Sequence, residues 1–182
     1  MIKLFKSRLP TRDELVRVYA VAAFLVYSWS MYWSFWRIPS WLKYLDIVSI
    51  LSIYAYAFVV NFIESISLLF LIVGVSVFLP QEWWKKEFVS KGFVLLVVVW
   101  GSALIHMYVY RDPDSQKIFL KNQLVWWICT LIVAVLFTWM AGWSLLINRS
   151  LTALADNLSV FLYVYIPLTV AAVFVVIVRI FL

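Results

Sequence analysis

The sequence predicts an all-α integral membrane protein: a polytopic helical bundle of six transmembrane helices, with five as the alternative. Three observations predict it. Hydrophobic residues make up 66% of the 182 residues and charged residues 13%, whereas a soluble domain is about half apolar and a quarter charged. A chain this apolar cannot cover its own surface with polar groups, so most of it must face lipid or other membrane helices. The apolar residues gather in runs near or above the length of about 20 residues that one α-helix needs to cross a bilayer. No stretch between the runs is long enough to fold alone. Residues 15–182 therefore read as one transmembrane helical domain behind a basic cytoplasmic segment, residues 1–14.

The first ten residues, MIKLFKSRLP, are basic and mildly amphipathic and suit an inner-leaflet surface. Thr11-Arg-Asp-Glu14 then has the pattern of a capping box: the Thr hydroxyl accepts a backbone N–H of the first turn and Glu14 reaches back. Span one runs from about 15 to 36, with Arg17 placed to reach the interface. It lacks a short apolar core and a small-residue cleavage site, so it reads as a retained helix and not a cleaved signal peptide. Residues 37–43, with Pro39 among Trp33, Trp36 and Trp41, read as a short connection. The run from Tyr44 to Leu79 follows, with Gly74 its one glycine and no Lys, Arg or Pro. As a single helix it would be about 54 Å long against a hydrocarbon core of about 30 Å. Length therefore favours two spans, about 44–61 and 64–80, with a turn at Asn61–Ser65 where Asn61 serves as the helix stop. Spans at about 93–110, 122–146 and 158–181 complete the six, the last carrying Pro167. Residues 148–157 read as a connector.

Six spans put both termini on the cytoplasmic side. The distribution of basic residues does not choose between the topologies, because either one leaves nine of the fifteen Lys and Arg residues on the N-terminal side. The net charge of +6 sits in the loops, the pattern expected beside an anionic leaflet, and gives no clustered basic surface for nucleic acid. The sequence thus points to the cell membrane, a bacterial inner membrane or its equivalent.

Two sets of residues stand out. Thr130, Ala134, Thr138 and Gly142 recur every four residues and leave a smooth groove, and Ala20, Ala23, Ser30 and Ser34 form a related seam on span one. Small residues let helices approach closely in lipid; the partner is either another helix of this chain or a separate membrane subunit. The second set is polar. Ser102, His106 and Tyr110 share one helix face. Under six spans Glu64 and Asn61 sit at a cytoplasmic hairpin tip, at a depth His106 could match. Asp46 stands near the other end of span two. These six residues would form a polar path, with a Glu–His pair able to pass protons or hold a cation. The plainer readings are a satisfied core histidine, a wetted Glu64, and Asp46 as a first-turn carboxylate favoured by the helix dipole.

Much chemistry is excluded by composition. One His and one Cys cannot supply a bis-histidine haem, a Cys-ligated cluster or a His-rich metal site. Cys129, alone and mid-span, reads as a small packing residue. No Gly-rich phosphate loop or His-Glu-x-x-His motif occurs. The expectation is a non-enzymatic multi-pass protein without cofactor or metal, a structural or accessory subunit that acts by helix–helix packing. Its partners would be the bilayer and other membrane subunits or a second copy. The alternative is a small transporter or channel component built on Glu64, His106 and Asp46.

Overall fold

The computed structural model describes residues 10–80, 84–110 and 116–181. Among these residues it holds six α-helices and no strand. Five are long and apolar enough to cross a membrane. The basic segment 1–9, residues 81–83 and 111–115, and residue 182 lie outside the described residues.

Helix α1, Arg12–Tyr44, opens on the expected capping box. The Glu14 carboxylate accepts from the Thr11 N–H at 2.7 Å, and the Thr11 hydroxyl accepts from the Glu14 N–H at 3.4 Å. Its far end differs from the sequence expectation. The helix does not stop at residue 36 but runs through Pro39 to Tyr44. Proline removes one hydrogen bond, yet its fixed φ is helical, and no glycine flanks it to turn that loss into a break. The break falls at Leu45, which is extended (φ −123°, ψ 148°) and whose N–H closes the last turn onto the Trp41 carbonyl at 2.7 Å.

Helix α2, Ile47–Phe78, corrects the largest expectation. The chain does not turn at Asn61–Ser65; the two expected spans are one helix of 32 residues. No non-glycine residue has a positive φ among the described residues, so Asn61 is not a left-handed stop. The polar side chains there are absorbed without breaking the helix. The Ser65 hydroxyl donates to the Phe62 carbonyl at 2.9 Å, and that of Ser67 to the Ile63 carbonyl at 2.8 Å. A turn without Gly or Pro would leave backbone groups unpaired in lipid, where a continuous helix satisfies its own. Length argued for two spans, and backbone hydrogen bonding outweighs it.

After a 3₁₀ turn at Lys85–Glu87 come α3, Phe88–Val109, and α4, Gln116–Trp143. The expected connector at 148–157 is instead a helix, α5, Leu145–Ser159, and α6, Leu162–Phe181, ends the fold with Pro167 inside it. Cys129 is exposed and not packed.

The chain divides into two units. The terminal unit joins Thr11–Leu71 to Ala155–Leu182. Its core is a buried stretch of α1 that includes Val18, Ala22, Val26 and Tyr27. Tyr27 stacks on Tyr165 at 4.5 Å and meets Phe58 edge-on at 5.4 Å. Contacts along α1 rise together with the chain that leads into α6: Arg17 with Asp156 of α5, Phe24 with Phe161 just before α6, and Tyr27 with Tyr165 and Thr169 of α6. The two helices are therefore parallel. Parallel first and last helices are what an odd number of spans gives; the six spans expected from the sequence would run them antiparallel. The central unit holds Ile72–Leu154. Here α3 and α4 pack antiparallel, with Ser102 against Thr130 and His106 against Trp126.

Candidate functional site

In the terminal unit α1 and α2 are antiparallel: Tyr19 meets Ser65, Tyr27 meets Phe58 and Trp41 meets Tyr54. Between them runs a cleft of about 340 Å³. Its α1 wall carries Trp29, Trp33, Arg37 and Trp41, spaced every four residues so that they form one ridge. Val26, Ser30 and Ser34 form the neighbouring row, and α2 contributes Ile53, Ala57, Asn61 and Glu64. The Ser34 hydroxyl donates to the Ser30 carbonyl at 2.8 Å, and the small side chains keep that row narrow. Indole rings line one side, and charge of opposite sign stands at two levels. Arg37 lies toward the α1–α2 connection and Glu64 lies about ten residues farther along α2 than the level of Tyr54.

Glu64 sits near the midpoint of α2 and is exposed, while Asn61, one turn before it, is buried at 6% exposure. Among the described residues Glu64 has no ion-pair partner, unlike Asp156, which pairs with Arg17, and Glu87, which pairs with Lys91. A carboxylate at mid-helix facing hydrocarbon is expensive, so such groups meet a cation, a hydrogen-bond donor or water.

The other sequence-singled residues are placed as follows. Asp46 lies between α1 and α2, about 27 Å along the helix axis from Glu64. Its carbonyl accepts the first bond of α2, from Ile50 at 3.1 Å. Its carboxylate is held below the ordinary carboxylate range, chiefly by the Ser49 hydroxyl and then by the backbone N–H groups of the first turn. Asp46 is thus the cap of α2 and does not share a site with Glu64. His106 belongs to the central unit, buried at 5% exposure among Tyr110, Trp126 and Trp127, with ring centroids at 4.8, 5.0 and 6.2 Å. Ser102 is 2.6 Å from Thr130 and accepts from the Trp126 indole at 2.9 Å. The Ser102–His106–Tyr110 face therefore meets α4.

Thr130, Ala134 and Thr138 are buried, and the Thr138 hydroxyl donates to the Ala134 carbonyl at 2.8 Å. At the end of that stripe the bare Gly142 accommodates a buried ion pair. Lys91 and Glu87 are 3.1 Å apart, their side chains 5% and 21% exposed. A Cβ at Gly142 would stand 2.6 Å from Glu87 Oε2 and 2.9 Å from Lys91 Cε. Ala20 and Ala23 are buried in the terminal unit, while Ser30 and Ser34 line its cleft.

Sequence reasoning missed two features. The Trp29–Trp33–Arg37–Trp41 spacing is visible in the sequence, but the reading of residues 37–43 as a connection around Pro39 assigns Arg37 and Trp41 to a loop and breaks the ridge. The Glu87–Lys91 pair has ordinary i,i+4 spacing, and only the glycine opposite it marks it as buried. No group of three or more His, Cys, Asp or Glu side chains that could hold a metal occurs among the described residues. No protein-family model, curated protein or solved structure matches this chain.

Proposed function

We propose that the protein is a non-enzymatic multi-pass subunit of a cell-membrane complex, and that it binds a partner's membrane segment along the α1–α2 cleft. The observation that carries this reading is Glu64: an exposed carboxylate near the middle of a continuous membrane-length helix, beside a cleft lined by indoles and small residues. A cationic or donor side chain on a docked helix would pair with it, and the Ser30–Ser34 row gives that helix close approach. The five-span topology puts the N-terminus in the cytoplasm with nine of the fifteen basic residues. The C-terminus then lies on the opposite side, in keeping with the parallel α1 and α6.

Co-purification in mild detergent tests the reading. The wild-type chain is expected to bring down a membrane protein in fixed stoichiometry. Glu64→Leu should lose it, Glu64→Gln should retain part of it, and Asp46→Asn should leave it intact. A wild-type chain that is a monodisperse monomer without partner sinks the proposal. A second reading is favoured by the room in the cleft and its two opposite charges: a solute path in a small transporter. Flux through liposomes of the purified chain that vanishes with Glu64→Gln and survives His106→Ala would support it over the subunit.

A further inference from the structure

We propose that α5 is an interfacial helix that lies flat in the phospholipid headgroup layer on the N-terminal side of the membrane, with Ile147 and Leu154 immersed and Arg149 turned to the phosphates and water. Three independent observations place it there. First, α5 cannot be a span. Its 15 residues extend about 22 Å, short of the roughly 30 Å hydrocarbon core, and it carries Asn148, Arg149, Asp156 and Asn157.

Second, past its first two residues, Leu145 and Leu146, which are exposed beside the α4 end, α5 has three distinct sides at 100° per residue. Ala155, fully buried, marks the side against the protein. Ile147 and Leu154, 42% and 47% exposed, share a second side. Arg149 and Asp156 share a third, nearly opposite the second. An amphipathic helix in the headgroup layer needs this division: apolar groups facing the acyl chains, charged groups facing water, and one flank on the protein.

Third, the residues at both ends of α5 mark headgroup depth. Ser144 alone separates it from α4, and its hydroxyl and carbonyl accept from the first-turn N–H groups of Ile147 and Asn148 at 3.4 and 3.0 Å. Trp143, just before that break, is 78% exposed and packs on Trp139 at 4.7 Å; Tyr163, just after α5, is 83% exposed. Exposed Trp and Tyr at span ends sit at the membrane–water interface. Asp156 pairs with Arg17 at 2.7 Å, within two turns of the start of α1, which assigns α5 to the N-terminal side.

The test uses the full chain with Cys129→Ser, in vesicles of phosphatidylcholine and phosphatidylglycerol without other proteins. Single cysteines at Ile147, Leu154, Arg149 and Ala153, all exposed positions, carry a polarity-sensitive fluorophore. Lipids brominated near the carbonyls should quench the labels at 147 and 154 several-fold more than those at 149 and 153. Aqueous iodide should show the reverse order. Iodide quenching of all four alike would make α5 a solvated connector. Quenching of all four by lipids brominated at the chain ends would bury it in the bilayer. Labels on the Ile147–Leu154 side that neither agent reaches would mean protein covers that side. Any of these three results overturns the proposal.

Discussion

At the scale of single residues, the fold uses polar groups for three different ends. Asp46 holds a helix end. Its carboxyl titrates below the ordinary range because the charged form accepts bonds from Ser49 and the first turn. A carboxylate depressed in the folded state contributes stability above its unfolded pKa and loses it as the pH falls through the folded value. The first turn of α2 should therefore fray as the pH falls below the ordinary carboxylate range, and Asp46→Ala should fray it at neutral pH; amide hydrogen exchange at Ile47–Ile50 reads both. Lys91 and Glu87 are a pair that the absence of one methyl group makes possible. Gly142→Ala should lower stability by about 1–3 kcal/mol through overpacking, measured as a lower thermal midpoint in detergent. Lys91→Met should cost more, because it strands a part-buried carboxylate, and the double variant Glu87→Leu/Lys91→Met should recover much of the loss. Tyr27 and Thr169 share a 2.6 Å hydrogen bond inside the terminal unit. A double-mutant cycle with Tyr27→Phe and Thr169→Val should give a coupling near 0.6 kcal/mol, the modest value usual between membrane helices.

At the scale of elements, the deciding question is where helices stop. The capping box at Thr11–Glu14 was legible because both halves of the motif are local. The ends of α1 and the continuity of α2 were not. Proline at 39 looked like a terminator, and Asn61 with Glu64 looked like a turn. In each case the local signal was real but weaker than the requirement that every backbone N–H and C=O in lipid be paired. Continuity of α2 is directly testable. With Cys129→Ser, a cysteine at Ser65, which is fully buried, should resist membrane-impermeant maleimide from both sides of sealed vesicles. Labelling from the cytoplasmic side would restore the hairpin. The residues of the polar path expected from the sequence are divided between the two units, Asp46, Asn61 and Glu64 in the terminal one and Ser102, His106 and Tyr110 in the central one. The expected match in depth between Glu64 and His106 took the hairpin tip for granted, whereas α2 runs on through Glu64, with Asp46 about 27 Å away along its axis. His106, meanwhile, is enclosed by the aromatic rings of α3 and α4.

At the scale of the whole molecule, the proposed five-span topology puts the two termini on opposite sides, in keeping with the five membrane-length helices among the described residues and the parallel α1–α6 pair. Reporter fusions should show this: a C-terminal alkaline phosphatase fusion should be active in a bacterial host and a C-terminal green fluorescent protein fusion dark. The opposite outcome would return the topology to six spans. The class of protein was determined by the sequence alone, because composition and run length answer to the thickness and dryness of the bilayer, whatever the helices do among themselves. The small-residue stripe and the Ser102–His106–Tyr110 face were equally plain, because helical periodicity is a property of one segment. The tertiary structure alone decided what those faces meet. Thr130–Gly142 lies against α3 and a buried ion pair, Ser102 against Thr130, and the tryptophans of α1 line a cleft beside Glu64. The reason is physical: a helix carries its pattern in its own sequence, but which helix fills the opposite wall depends on where distant segments end, and hydrogen bonding in lipid sets those ends over the nearest turn signal.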